Sequence, residues 1–507
     1  MSDRDFDAVI IGAGLGGLQC AITLAREGMK VCVLEQNSQL GGSLQVFSRD
    51  KTVFDTGVHY IGGLCPGQNL HQYFSYYGIM DKLKLKRMDI DAFDRVELQG
   101  DPHQYPYAQG WDNFVNRLSE HFPGERAAIA RYAELVVETC DRFPLYRLRD
   151  SNTQEWMDDR LTWNAEQVIA SLTPNVTLQQ VLAGSNALYA GDHASPFYVH
   201  ALVVNTYVES SWRCVDGGSQ IAKHLAANGR AAGAVIHARA KVTGLDFGPD
   251  GVSAVRTADG EAYSCKWCIA NIHPAVLMDM IGAGHVRPAY RSRIKSLENT
   301  VASHALHLVM KPGAFPYLNH NVYRMRSVGV WDAVNYADGT WPSAYMLSTP
   351  ASHRTLATGH ADGITVMSYM RYSEVERWAG SPNTIATPVD RDPGYLEFKH
   401  AREQQMIDVL EEHYPGLRAG IKSAHSSTPL TFRDYIGTPD GNMYGIRKDS
   451  ASPLRTFLSP RTKVPNLLLT GQNLNMHGLL GVTVGSVSTC AEIVGKSYLL
   501  KKVHAAS

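Results

Sequence analysis

No run of about 20 uninterrupted apolar residues occurs in this 507-residue chain, so a membrane-spanning helix is not expected. The first apolar stretch, AVIIGAG from Ala8, is short and follows an acidic lead, which argues against a signal peptide. Blocks of like charge are missing too: 48 Lys and Arg face 49 Asp and Glu, for a net charge of -1. That balance offers no basic stripe, and a nucleic-acid partner is set aside. Eight scattered cysteines make no disulfide framework, so a reducing, cytoplasmic setting is expected, with peripheral membrane contact left open. The 20 histidines show no H-E-x-x-H and no paired C-x-x-C spacing, so no metal is expected. Internal repeats and low-complexity tracts are absent as well. What remains is a globular protein long enough for two or three domains.

What is present begins with glycine. DAVIIGAG reads as a buried strand, then Leu15, Leu18, Ala21, Ile22 and Ala25 recur at helical spacing, and Gly28 is placed to end that helix. KVCVLE follows as a second strand, completing a βαβ unit. Between about 70 and 204 the pattern is of longer amphipathic helices, one with Ile129, Tyr132, Leu135, Val136, Thr139, Cys140 and Phe143 on its apolar face. Strands bounded by glycine return from about 205 to 285. A mixed region runs to about 425, and the chain ends with the strand NLLLTG, a glycine-rich turn and a helix over about 480–500.

Between strand and helix, GAGLGG supplies Gly12, Gly14 and Gly17 as G-x-G-x-x-G, with Leu15 and Gly16 inside the turn. Gly12 permits the tight turn, Gly14 lets backbone approach a pyrophosphate, and Gly17 lets the helix pack on the strand. The helix N-terminus then faces the phosphate charge. Glu35 ends the second strand, followed by Gln36, where a carboxylate accepts from ribose hydroxyls and repels a 2′-phosphate. FAD or NAD is therefore favoured over NADP. Gly41 and Gly42 form a second bare stretch that a pyrophosphate could approach, and Ser43 follows them. Far away, Gly471, Gln472, Gly478, Leu479, Gly481 and Val482 mark a second glycine-lined helix N-terminus, which suits the anionic edge of a reduced flavin. No second G-x-G-x-x-G appears, so electrons are expected from an external donor, with NAD(P)H one candidate.

These residues carry a resemblance. DAVIIGAGLGGLQCAITLAREGMKVCVLEQNSQLGG resembles the flavoprotein superfamily of amine oxidases and phytoene desaturases. FDTGVHYIGG, DGGSQIAKHLAANG, TPLTFRDYIGTPDGNMYGI and PNLLLTGQNLNMHGLLGVTVGSV resemble its all-trans-retinol saturase and carotenoid isomerase branch. The resemblance implies an α/β fold with a Rossmann-type, glutathione-reductase-like FAD-binding domain. That domain is discontinuous, over 1–70, 205–285 and 425–507, and non-covalent FAD is its cofactor. An inserted α+β substrate domain occupies 71–204 and 286–424. The implied reaction is saturation, desaturation or cis–trans isomerisation of C=C bonds in an apolar polyene or isoprenoid lipid. Relatives often follow the glycine doublet with arginine, and Ser43 here removes that ionic contact.

By the same resemblance, Asp55, Gly57, Val58 and His59 run beside the flavin, Asp55 capping a turn and Gly57 clearing space for the ring. His59, Tyr60 and His477 are the candidates for proton transfer. Two other readings stand beside this one. An amine-oxidase-type flavoenzyme would want aromatic residues before the last helix, where this chain has NMHGLLG; a non-catalytic flavin- and lipid-binding protein would show no turnover. The pair Cys265 and Cys268 in CKWC lies on a strand, where residues three apart point to opposite faces, so a redox pair is not expected.

Overall fold

The run DFDAVII forms β1 (Asp5–Ile11), and the turn after it opens α1 (Leu15–Arg26). The structure, a computed structural model, describes residues 4–150, 159–326 and 329–506. Gly28 adopts φ 81°, the left-handed conformation that closes a helix. Every residue of α1 from Leu15 to Ala25 is buried, so this helix is sandwiched between layers instead of showing one face to water. β2 (Val31–Leu34) returns parallel to β1, with Ala8 opposite Val31 and Ile11 opposite Leu34.

Distant segments complete this first seven-stranded sheet. Its order is Val235–His237, β2, β1, Ala262–Ala270, Gly251–Thr257 and Val242–Gly248, with Leu467–Leu469 also paired to Ala262–Ala270. β1, β2 and Leu467–Leu469 are buried throughout or nearly so, as continuous apolar runs in a sheet covered on both faces should be.

A second seven-stranded sheet runs Ile421–Ser427, Ala302–Met310, Gly363–Met370, Ala344–Ser348, Asn321–Met325, Asp94–Leu98 and Gln104–Tyr107. Only Asn321–Met325 against Asp94–Leu98 is parallel among its pairs. The last two strands lie where the sequence pattern suggests helices; each is too short for its alternation to stand out. The helix Arg126–Asp141 buries Ile129, Tyr132, Leu135, Val136, Thr139 and Cys140, while Phe143 lies past its end. The boundary expected at 204 falls inside the helix Phe197–Glu209, which is apolar almost all round and offers no break there. The boundary expected at 424 likewise falls inside Ile421–Ser427.

Two further expectations are corrected. The terminal helix is two helices, Gly478–Val494 and Lys496–Ala505, divided at Gly495 with φ 91°. Cys265 and Cys268 do not point apart: both pack against the cluster that holds Cys32. Their strand exchanges its outer partner between Ser264 and Cys268, which interrupts the alternation. All eight cysteines are free. Burial pushes the Cys32 thiol up to about 12, and a hydrogen bond with Cys265 followed by burial raises that of Cys268, so neither is reactive. Among the described residues no helix is long and apolar enough to cross a membrane.

Candidate functional site

A cavity of about 400 Å³ opens at the C-terminal ends of β1 and β2, against the N-terminus of α1 and one face of the second sheet. This is the crevice where open parallel sheets bind ligands. Steric demand explains its glycines. A Cβ on Gly12, whose φ is 95°, would meet Asn271 O at 2.9 Å, and one on Gly17 would lie 2.1 Å from Gly12 O. Gly14 precedes α1 and brings no capping side chain, so the first-turn N–H groups face the cavity with no side-chain acceptor of their own.

Ala13 N–H donates to Glu35 Oε2 and Asn37 N–H to Glu35 Oε1, both at 2.8 Å. The second strand thereby fixes the shape of the first loop. Burial raises the Glu35 pKa and these backbone donors oppose it. Each carboxylate oxygen keeps a lone pair for a sugar hydroxyl. The glycine doublet joins the same cradle: Gly41 N–H donates to Ala13 O at 2.9 Å, and a Cβ on Gly42 would come within 3.4 Å of Gly14 Cα.

Asn271 is the residue that sequence reasoning missed here. Its Nδ2 donates to Gly12 O at 3.2 Å, and its side chain would contact a Cβ on Gly14, Gly16, Gly17 or Gly471. It thus ties the N-terminal loop to the C-terminal one. The available signal was its place at the end of a strand, the position Glu35 has on β2.

Seventeen of the residues expected at a cofactor line the cavity, from Gly12 to Val482. Gly17, Asp55 and Gly481 do not; they stand behind its wall. A Cβ on Gly481 would lie 2.6 Å from Met476 Cβ, so this glycine serves close packing of the last helix. Asp55 Oδ1 accepts from Gly218 N–H at 2.6 Å, and burial pushes its pKa up to about 7. Gly57 lines the cavity, but the space its Cβ would take is closed by Ser43, with O at 3.0 Å and Cβ at 3.1 Å. A Cβ at this position would crowd the chain itself, independently of any ring.

The three proton-transfer candidates separate. His59 lines the cavity; its Nε2 is buried without a partner among the described residues, and burial pulls its pKa down to about 4. His477 is not part of the cavity wall. Its ring packs on Tyr444 at 4.4 Å, its Nε2–H donates to Leu188 O at 3.1 Å, and burial lowers its pKa to about 4. Both histidines are neutral at physiological pH. Tyr60 lines the cavity and its OH lies 2.6 Å from Tyr323 OH and 2.8 Å from Asp94 Oδ2. Asn321 Nδ2 donates to Asp94 Oδ1 at 2.7 Å and its Oδ1 accepts from Arg213 at 2.7 Å. Asp94, Asn321, Tyr323 and Arg213 carry no motif; sheet pairing sets Asn321 opposite Asp94, and Arg213 reaches Asn321 from a separate three-stranded sheet.

The donor set fits a flavin dinucleotide. Bare backbone surrounds an open helix N-terminus, a buried carboxylate sits at the sugar position, and His59 Nε2 lacks a partner among the described residues. Residues 15–345 match the family described as flavin containing amine oxidoreductase. The chain belongs to that family. The flavoprotein is similar to all-trans-retinol 13,14-reductase of Danio rerio, 25% identical over 543 residues that cover 97% of this chain and 86% of that protein. It is also similar to hydroxyneurosporene desaturase of Rhodobacter capsulatus, 26% identical over 294 residues, or 54% of this chain and 57% of that one. An oxidoreductase of known structure from Methanosarcina mazei shares the fold, with TM-score 0.63 and 16% identity across 95% of this chain and 99% of that one.

Two kinds of wall meet in the flavoprotein's cavity. The side built by β1, β2 and α1 is glycine-rich and includes Glu35. The side built by the second sheet presents Tyr323, Met325, Met346, Met367 and Tyr369, which share one face by register. Among the described residues no carboxylate or amine lines that second side.

Proposed function

We propose that the protein is an FAD-dependent oxidoreductase acting on a C=C bond of an apolar conjugated polyene or isoprenoid lipid. The observation that carries this reading is the methionine and tyrosine wall of the second sheet. Among the described residues it has no group to neutralise an ammonium ion, and an apolar chain needs few polar handles. Methionine adapts its shape to long flexible ligands. The two relatives named above point the same way, one by reduction of retinol and the other by desaturation.

In this reading the chain is two domains, with FAD on the first sheet and substrate under the second. Gly12, Gly14, Gly41 and Gly42 approach the pyrophosphate, Glu35 accepts from the ribose, and Gly471, Gly478 and Leu479 hold the far end of the cofactor. When bound, FAD supplies two-electron hydride chemistry. The protein's part is to orient the substrate, exclude water from the cavity, and provide a proton at the carbon that takes no hydride. Electrons come from an external donor such as NAD(P)H, and substrate reaches the cavity from solution or from a membrane surface touched peripherally.

The test is anaerobic incubation of the reduced, flavin-loaded protein with all-trans-retinol and a panel of carotenoids, read by product mass and absorbance. A gain of two hydrogens with a blue-shifted spectrum establishes saturation; unchanged mass with altered retention establishes isomerisation. Unchanged compounds throughout, with FAD still bound, would remove the polyene assignment.

A further inference from the structure

Three oxygens stand in line at the second-sheet side of the cavity: Tyr323 OH, Tyr60 OH 2.6 Å away, and Asp94 Oδ2 a further 2.8 Å on. Both tyrosines line the cavity while Asp94 lies behind them, fully buried. The other carboxyl oxygen, Oδ1, accepts from Asn321 Nδ2. A proton on Asp94 therefore belongs on Oδ2, the atom that faces Tyr60. Asn321 is held in turn by Arg213, whose remaining bonds run to the carbonyls of Leu318, Thr349 and His320 and to Thr349 Oγ1.

Counting protons shows that this chain has two directions. With Asp94 ionised, Tyr60 donates to the carboxylate and Tyr323 donates to Tyr60, so no O–H faces the cavity. With Asp94 protonated, its O–H donates to Tyr60, Tyr60 donates to Tyr323, and the Tyr323 O–H is free to point at a substrate. Only the second direction delivers an acid.

We propose that Tyr323 is the acid that protonates the substrate carbon, and that Tyr60 and Asp94 are positioning residues that aim its O–H and restore its proton. This rests on the reading of a C=C-reducing flavoenzyme. In saturation the π bond breaks, and one carbon takes the hydride that a reduced flavin, recharged by an external two-electron donor, supplies. The adjacent carbon takes the proton of Tyr323. The phenolate left behind takes the Tyr60 proton, Tyr60 takes that of Asp94, and water returns one proton to the carboxylate after product leaves.

The groups that face Asp94 come from every neighbouring element: Tyr60, Tyr107, Tyr207, Arg213, and Asn321 with Tyr323. Burial raises the Asp94 pKa to about 7, outweighing Asn321, Tyr60 and the Arg213 charge, which favour ionisation. The acid-delivering direction is thus populated below neutral pH and lost above it.

The experiment pairs infrared difference spectroscopy of the flavin-loaded protein with single-turnover rates for all-trans-retinol, on wild type, Asp94→Asn, Tyr60→Phe and Tyr323→Phe between pH 5 and 9. A protonated-carboxyl C=O band that fades on titration through neutral pH, vanishes in Asp94→Asn and changes frequency in Tyr60→Phe is expected. Tyr323→Phe should slow single turnover about 100-fold or more at saturating substrate with retinol affinity unchanged, and Asp94→Asn should flatten the pH profile. Absence of the band at pH 6, or a wild-type rate in Tyr323→Phe, would overturn the proposal. A band with the expected behaviour in a protein that converts no polyene would support the chain and overturn the substrate reading instead.

Discussion

Asp55 Oδ1 accepts the backbone N–H of Gly218 at 2.6 Å across 163 residues of sequence. The bond joins the GVHY segment of the cavity wall to the start of the helix Ser219–Ala231. A Cβ on Gly218 would meet the same carboxyl oxygen at 3.2 Å. Two motifs that look separate in the chain, FDTGVHY and DGGSQ, are therefore one structural joint.

The joint should be sensitive to pH. The unfolded Asp55 ionises near pH 4, roughly its ordinary value, and the folded one at about 7 because of burial. The folded form binds more protons in between, so this stability is present below pH 4 and lost as pH rises through 7. Asp94 contributes with the same sign. Asp55→Asn keeps an oxygen for Gly218 and removes the titration. Urea unfolding at pH 5 and 7.5 should show a smaller fall in stability for the variant than for wild type; equal falls would mean that Asp55 is ionised in the fold.

Two glycines of buried helices should respond in opposite ways to alanine. At Gly17 the new Cβ would lie 2.1 Å from Gly12 O, and overpacking of this kind costs about 1–3 kcal/mol. Loss of bound flavin should accompany the lower melting temperature, since α1 must move away from the loop. At Gly485 the nearest atom is Gly471 O at 3.7 Å. Gly485→Ala should be neutral or stabilising by up to about 1 kcal/mol from helix propensity. Thermal melts with a fluorescence readout of released FAD separate the two.

Gln19 on α1 links to the last long helix inside the core. Its Nε2 donates to Thr483 Oγ1 at 2.8 Å and its Oε1 accepts from Ser486 Oγ at 3.0 Å. Gln19→Leu should cost about 1–3 kcal/mol through the loss of two buried hydrogen bonds, although Thr483 Oγ1 still donates to Leu479 O and Ser486 Oγ to Thr483 O. Adding Thr483→Val should recover part of that loss in urea unfolding, while Ser486 is kept because its Oγ also pairs with the buried Tyr77 OH at 3.3 Å. A double variant as unstable as the single one would mean that packing volume, not hydrogen bonding, governs the site.

The two walls of the cavity should be separable by substitution. Met346→Trp fills space on the second-sheet side and should leave the FAD content unchanged while raising the Kd for a bound polyene at least about tenfold, or 1.4 kcal/mol. Glu35→Lys places a cation where Ala13 and Asn37 N–H groups point and should abolish FAD retention. The readouts are flavin absorbance after gel filtration and quenching of retinol fluorescence. Loss of flavin in Met346→Trp would show that the cofactor extends across both walls.

Much of the nucleotide side was legible because its signals are local. Gly12, Gly14 and Gly17 sit within six positions of one another, and Glu35 follows at a spacing set by one helix and one strand. The glycines of the last helix were legible for a similar reason. Their exact duties were not: Gly57 is held by Ser43, and Gly481 by Met476. A glycine in sequence announces close approach without naming what approaches.

The second-sheet side was largely silent in the chain. Tyr60 stood out beside His59, but Tyr323, Asp94, Asn321 and Arg213 are ordinary members of short strands, and the strand Asp94–Leu98 itself went unrecognised. His477, next to a conspicuous glycine, packs on Tyr444 and is not itself part of the cavity wall.

What the chain alone specified is the cofactor class, through a turn, a helix start and a carboxylate whose geometry is encoded within about 40 residues. What only the tertiary structure decided is the Tyr323–Tyr60–Asp94 chain and the methionine and tyrosine wall of the second sheet. Those depend on a sheet pairing residues more than 200 positions apart, Asp94 with Asn321. Such a contact leaves no spacing to read, because its register is chosen by the burial of whole faces and not by any neighbour in sequence.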